Sequence, residues 1–270
     1  MRYLDPKNDL TFKKVFGQHP HLLKSFLNAM LPLEEDQVIE SLEYLPTELV
    51  PDIPLMKHTI VDVRCKDKKG RQFIVEMQMC WTDDFKQRVL FNASKAYIKQ
   101  LDKGKNYSIL QPVYALSLVN EIFEPKLENF YHHYRIVHTE QTDKVIKGLE
   151  FVFVELPKFK PQNINEKRLQ VLWLRYLTEI KDGTSEISND LFDNPETKEA
   201  VDYLQESAFS KEELEYYDKY WDSIQSEKTL YEGAEKKGKI EVAKNLKNLG
   251  VDIATIQKST GLSKEEIEKL

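Results

Sequence analysis

Residues 60 to 78 read IVDVRCKDKKGRQFIVEMQ, two apolar runs around a KDKKGR turn, and each run holds one carboxylate, Asp62 and Glu76. Alternation with a period of two in Thr59 to Lys66 and in Arg71 to Trp81 predicts two half-buried strands. Val61, Val63 and Cys65 share one face of the first; Phe73, Val75, Met77, Met79 and Trp81 share one face of the second. Gly70 suits the left-handed position of a three-residue hairpin loop, which sets Asp67 opposite Arg71 and therefore Asp62 opposite Glu76. A slip of one residue would separate the acids and also mismatch the apolar faces, so hydrophobic patterning selects the register that joins them. Like charges facing one another across a ladder need a shared proton or a cation. Mg²⁺ fits that need, because it takes one or two carboxylates and completes its shell with water and phosphate oxygens. Gln78 adds an amide on the same face. The plain alternative is a solvated strand face on which Arg64 pairs diagonally with Glu76 as a surface ion pair of little energetic consequence.

The elements that must position this hairpin can be read on either side of it. Asn8 or Asp9 can cap a first helix with apolar positions from Phe12 to Met30, interrupted at Pro20 and closed by Pro32. Val38 to Leu45 reads as a strand, and a loop through Pro46, Pro51 and Pro54 leads into the hairpin. Thr82 or Asp83 opens a helix from about Asp84 to Lys103, which Gly104 stops. Its core stripe is Phe85, Val89, Ala93, Ala96 and Leu101, and Arg88, Asn92, Lys95 and Lys99 line a neighbouring face. Pro112 to Val119 and Phe151 to Leu156 are further strands, the first apolar enough to be buried on both sides.

Beyond Lys158 only helices are expected: Asn165 to Ile180, one opened by Asn194 and Pro195, and one opened by the capping box Ser210 to Glu213. A charged helix from Thr229 precedes two short helices around Gly261, with a second capping box at Ser263 to Glu266. The expected regions are a core over 1–158, an acidic helical extension over 159–228, and a helical tail over 229–270.

The chain has 270 residues, 41% hydrophobic, with 13 Phe and 13 Tyr, enough for a packed core. No apolar stretch suits a membrane span or a secretory leader, so a cytoplasmic protein without a membrane partner is expected. Cys65 and Cys80 fall on opposite hairpin faces, which argues against a bridge between them. The net charge of −6 counts at first against nucleic acid. It is unevenly spread: residues 179–218 hold 13 acids against Lys181, Lys198 and Lys211, whereas 86–106 hold six basic residues and one acid, Asp102. DNA thus remains a candidate partner.

The order helix, strand, hairpin, helix, strand, with acids on the second and third strands, resembles the αβββαβ core of PD-(D/E)XK nucleases, a mixed α/β sheet here followed by an all-helical region. More specifically, the chain is similar to the Rpn family of recombination-promoting nucleases, or putative transposases. The match rests on NDLTFKKVFG at 8–17, the hairpin at 60–78, FKQRVLFNASKAYIKQL at 85–101, GKNYSILQPVYALSLV at 104–119, VELPKF at 154–159 and the tail from Glu232.

The resemblance implies a DNA endonuclease dependent on Mg²⁺ or Mn²⁺ and linked to recombination, mobile elements or defence. On it, Asp62 and Glu76 are the paired acids, and the Met77 carbonyl joins them as a metal ligand. Gln78 stands where the wider superfamily usually has Lys, and orients the attacking water. Arg88 is the candidate replacement cation. Asp9 adds a helical carboxylate or is a plain N-cap, and Arg88, Lys95 and Lys99 hold the DNA backbone. Because neutral Gln78 can only hydrogen-bond, the runner-up is a catalytically weak, nuclease-like module that binds DNA or protein through its helical tail.

The tail resembles a helix-turn-helix, yet SKEEIEKL carries three Glu and two Lys, a poor surface for the major groove. A packing role, a protein partner or homo-oligomer contacts are expected there. His132, His133 and His138 lack zinc-ligand spacing and read as structural or surface residues. No phosphate-binding Gly loop, nucleophile elbow or dinucleotide fingerprint is present.

Overall fold

The computed structural model describes residues 2–49, 58–102, 104–161 and 168–270; Pro51, Pro54, Lys103 and Asn165 lie outside them. The side chain of Asn8 accepts the Leu10 amide at 3.0 Å and caps α1 (Asp9–Phe16). Pro20 stands in the first turn of α2 (Pro20–Met30), where its missing N–H costs nothing. The expected interrupted helix is thus two helices. The strand expected over Val38 to Leu45 shrinks to β1 (Leu42–Tyr44). Its early part is diverted, because the Asn28 side chain takes both the amide and the carbonyl of Ile39, at 2.9 and 3.0 Å.

The first hairpin strand also divides. Thr59 and Ile60 form β3, paired with β2 (Glu48–Leu49), while Val63–Asp67 form β4, paired with β5 (Gln72–Gln78). The register of β4 with β5 is the one that patterning selects: Val63 faces Val75 and Lys66 faces Gln72. Asp67 exchanges hydrogen bonds with Arg71 at the turn, and Gly70 adopts φ 81°, which a side chain would strain.

Helix α3 (Phe85–Ile98) then crosses over to β6 (Val113–Val119), which lies parallel to β5. The helix ends several residues short of the expected Lys103, and a turn follows it. Strand β6 is buried throughout, as its apolar run requires. Phe85, Val89, Ala93 and Ala96 of α3 share a buried cluster with Ile74, Val113, Ala115, Val119 and Phe153. This cluster covers the sheet face that carries Glu76. The face expected to be polar and half-exposed is therefore buried, and β5 is buried along both faces up to Met77.

Two strands complete the sheet, β7 (Tyr131–Val137) and β8 (Val145–Glu155), giving the order β1-β4-β5-β6-β8-β7. Strand β7 was not foreseen. It is an edge strand in which His132 reaches Glu155 and His133 reaches Glu150, each at 2.9 Å, so polar residues stand where alternation would have shown apolar ones. Cys65 and Cys80 are both buried, and no disulfide joins them.

On the helical side, α4 (Arg168–Glu179) sends Trp173 and Tyr176 against Phe16, and Trp173 also meets Phe26, a fully buried aromatic group. Then follow α5 (Pro195–Asp202), capped by Asn194, and α6 (Lys211–Asn248), opened by the Ser210 and Glu213 capping box. Contacts divide the chain into two compact units, Met1–Asp218 and Lys219–Leu270, with the boundary inside α6. In the second unit α7 (Ile253–Thr260) and α8 (Lys264–Glu268) close on α6 through Ala243, Ile256, Leu262 and Ile267. Gly261 turns between them at φ 71°, and Ser263 with Glu266 forms the second capping box. No helix among the described residues is long and apolar enough to cross a membrane.

Candidate functional site

Asp62 sits at the bend between β3 and β4 rather than inside a strand. Were the ladder to continue past Val63 and Val75, Val61 would exchange hydrogen bonds with Met77. Instead the Val61 amide donates to the Thr47 carbonyl at 3.1 Å. The Asp62 carboxylate replaces the lost acceptor, taking the Met77 amide at 2.7 Å. Gln72 and Gln78 direct their backbone groups to the β6 side, so by alternation Met77 directs its carbonyl, like its amide, to the Asp62 side. The departure of Val61 leaves that carbonyl without its ladder donor.

Glu76, 7% exposed, projects under α3, where Asn92 donates to its Oε1 at 3.1 Å and Arg88 Nη2 stands 3.8 Å from its Oε2. Arg64 does not pair with it. That guanidinium donates to Gln72 at 2.8 Å and to the Pro46 carbonyl at 3.3 Å, which removes the diagonal surface ion pair. Gln78 accepts from Arg88 at 2.5 Å and donates to the Cys80 carbonyl. The neutral amide and the guanidinium thus form one unit beside Glu76.

Burial pushes the Asp62 carboxyl up to about 7; the Met77 amide and Lys13 oppose that rise, while Glu76 and Asp9 reinforce it. Burial also raises Glu76, against the pull of Asn92 and Arg88. Two neighbouring acids therefore hold their charge reluctantly. Asp9 is not the helix cap, a role that Asn8 fills. It binds Lys13 at 2.7 Å and accepts from the Tyr216 hydroxyl at 2.9 Å, close enough to Asp62 to act on its charge.

The row Arg88, Asn92, Lys95, Lys99 is split by packing. Arg88 and Lys99 are exposed, whereas Asn92 and Lys95 lie next to the core positions Ala93 and Ala96 and are buried. Lys95 donates to the Leu49 carbonyl at 3.1 Å. Asn92, as the hydrogen-bond donor to Glu76, is the site residue that sequence reasoning missed; an amide set within a row of cations above two acids was the available signal.

A family model described as PD-(D/E)XK nuclease family transposase matches residues 6–232. The chain belongs to that family. A second model, described as the C-terminal HTH domain of the Rpn/YhgA-like nuclease family, matches residues 236–270. No curated protein and no solved structure matched the chain. Membership of the PD-(D/E)XK nuclease family implies a metal cofactor in general. Among the described residues no group of three or more His, Cys, Asp or Glu could hold an ion. The donor set is of another kind: two carboxylates with raised proton affinity, a backbone carbonyl lacking its ladder donor, and a buried Asn92 Oδ1 with no partner among the described residues. Such a set fits a hard cation that keeps several waters, as Mg²⁺ does.

Proposed function

We propose that the protein is a divalent-metal-dependent endonuclease that hydrolyses phosphodiester bonds in DNA, in the service of recombination, mobile elements or defence. The observation that carries this reading is the bend at Asp62, which brings its carboxylate onto the amide following Glu76. Asp62, Glu76 and the Met77 carbonyl would hold Mg²⁺ or Mn²⁺. Bound there, the ion would supply a water acidic enough to give up a proton near neutral pH and leave hydroxide as the nucleophile.

The chain's own residues do the rest. Gln78, fixed by Arg88 and the Cys80 carbonyl, offers its remaining amide hydrogen to orient a water or a phosphate oxygen. Arg88 supplies the permanent positive charge that Gln78 lacks, placed to offset charge developing on the phosphate. Asp9 acts through Lys13 and through its field on Asp62. Arg88 and Lys99 hold the DNA backbone from the exposed face of α3, and buried Lys95 lends its charge from beneath.

Purified protein should nick plasmid DNA with Mg²⁺ or Mn²⁺ and lose that cleavage on Asp62→Ala. Undiminished cleavage by Asp62→Ala sinks the assignment.

The engagement of Gln78 favours one other reading, a weakly catalytic module that binds DNA or protein through its HTH tail. Metal titration separates the two. Mg²⁺ or Mn²⁺ raising the melting temperature of the wild type but not of Glu76→Ala supports a working site, and no response in either protein supports the module.

A further inference from the structure

A cavity of about 330 Å³ opens beside Asp62, between the α1 to α2 turn, β1 and the start of β4. Its walls include Lys13, Gln18, Tyr44, Thr47, Asp62 and Arg64. The volume is at the lower end of that of small-ligand sites, roughly 300 Å³ upward. Lys13 and Arg64 are its two basic walls, Lys13 held by Asp9 at 2.7 Å and Arg64 by Gln72 and the Pro46 carbonyl. The Tyr44 ring is fixed as a wall, because its hydroxyl donates to the Phe16 carbonyl at 2.8 Å. Gln18 and Thr47 add a side-chain amide and a hydroxyl, groups that can bond the edge of a base.

We infer that this cavity receives one unpaired nucleotide of the DNA strand, the neighbour of the phosphate held at Asp62 and Glu76. The inference rests on the nuclease reading above and adds a substrate class to it. Asp62 is both a wall of the cavity and a member of the acid pair, so a strand whose phosphate meets that pair brings an adjacent sugar and base to the cavity mouth. A paired base within a duplex cannot enter such a recess. An unpaired one can, and it pays no unstacking cost if the strand is already single, which is how base-accepting sites favour single-stranded or distorted DNA. An aromatic wall with basic side chains beside it is the combination by which single strands are held without sequence readout.

The test is fluorescence anisotropy with labelled oligo(dT) of twelve nucleotides and with a duplex of the same length, in Ca²⁺, a hard cation that takes oxygen ligands, with the length of the DNA checked afterwards. Wild-type protein should bind the single strand about five-fold or more tighter than the duplex, the lower end of what one stacked base contributes. Gln18→Trp, which fills the cavity from an exposed position, and Thr47→Trp, which fills it from within, should each bring that ratio near one. Two variants guard against a folding defect in either. Equal binding of both DNAs by the wild type, or a preserved ratio in both variants, overturns the inference. Displacement of oligo(dT) by an equimolar amount of dTMP also overturns it, since the cavity would then serve free nucleotides. Plasmid cleavage by the wild type, run alongside with Mg²⁺, reads the nuclease assignment separately. A single-strand preference without cleavage supports the cavity's ligand and counts against the hydrolytic reading alone.

Discussion

The carboxylate of Asp62 accepts the backbone amide of Met77 at 2.7 Å, and this one bond joins the two acids of the chain's central hairpin into a site. It exists because the strand leaves the ladder at Val61, whose amide turns to Thr47. A regular strand would have spent the Met77 amide and carbonyl on its neighbour. The break instead gives the amide to a side chain and leaves the carbonyl facing the same place.

The raised Asp62 carboxyl makes stability depend on pH in a defined direction. Unfolded, the group ionises near 3.8; folded, it holds its proton to about 7. The folded state therefore binds the proton more tightly, and without metal its stability falls as pH rises between about 4 and 7 and is flat above. Carboxylates with lowered values elsewhere, such as Glu124 and Glu199, act in the opposite sense, so the measurement is a difference. Asp62→Asn should match the wild type near pH 4 and exceed it in denaturant midpoint above pH 7. The metal-induced rise in melting temperature should follow the same group, weak at pH 6 and full at pH 8, because the ion must displace the proton.

Asn92 should tune the site through Glu76. Its amide favours the charged carboxylate, so Asn92→Ala pushes Glu76 further toward its protonated form. Loss of a residue that orients a metal ligand typically weakens metal affinity about 10- to 100-fold. Titration of Mn²⁺ at pH 7 should show that loss, and raising the pH to 8.5 should recover part of it. A change unaffected by pH would point instead to lost packing beneath α3.

Gln78 and Arg88 should behave as one unit. A lysine placed at 78 in the wild type would stand against the guanidinium now 2.5 Å from the Gln78 oxygen, and repulsion should offset any gain. In the Arg88→Ala background the same Gln78→Lys change replaces the missing cation. Cleavage rates in a double-mutant cycle should therefore be non-additive, with Arg88→Ala severe alone and Gln78→Lys partly restoring it. Additive rates would separate the two residues.

The register of this hairpin was legible because three signals agree on it: the alternation of both runs, Gly70 at a left-handed position, and Asp67 set against Arg71. What was not legible arises from contacts remote in sequence. Alternation identifies a face without saying what covers it, and α3 buries Glu76, which looked half-exposed, while Asp62 stays partly exposed at the bend. The break at Val61 depends on Thr47, and the late start of β1 depends on Asn28 holding Ile39. Strand β7 escaped notice because His132 and His133 answer to Glu155 and Glu150 rather than to an apolar core. The neighbours Asn8 and Asp9 can both cap a helix by residue type, and only the Asn8 bond to the Leu10 amide decides between them.

Asn8 itself is the last test, since it holds the helix that carries Asp9 and Lys13. Fully buried, it accepts the Leu10 amide at 3.0 Å and donates to the Tyr217 carbonyl at 3.1 Å. Asn8→Ala removes the cap, worth about 0.5–2 kcal/mol. It also removes the bond to Tyr217, a net contribution of about 0.5–1.5 kcal/mol, since that carbonyl lies within α6 and keeps its helical donor. The midpoint of urea unfolding should fall accordingly, whereas Asn8→Asp keeps the capping oxygen and loses the donor to Tyr217. If Asp9 and Lys13 act on Asp62 from this helix, Asn8→Ala should also shift the pH midpoint of metal binding under conditions where the protein is still folded. A purely stabilising cap would lower the unfolding midpoint and leave that pH midpoint where it is in the wild type.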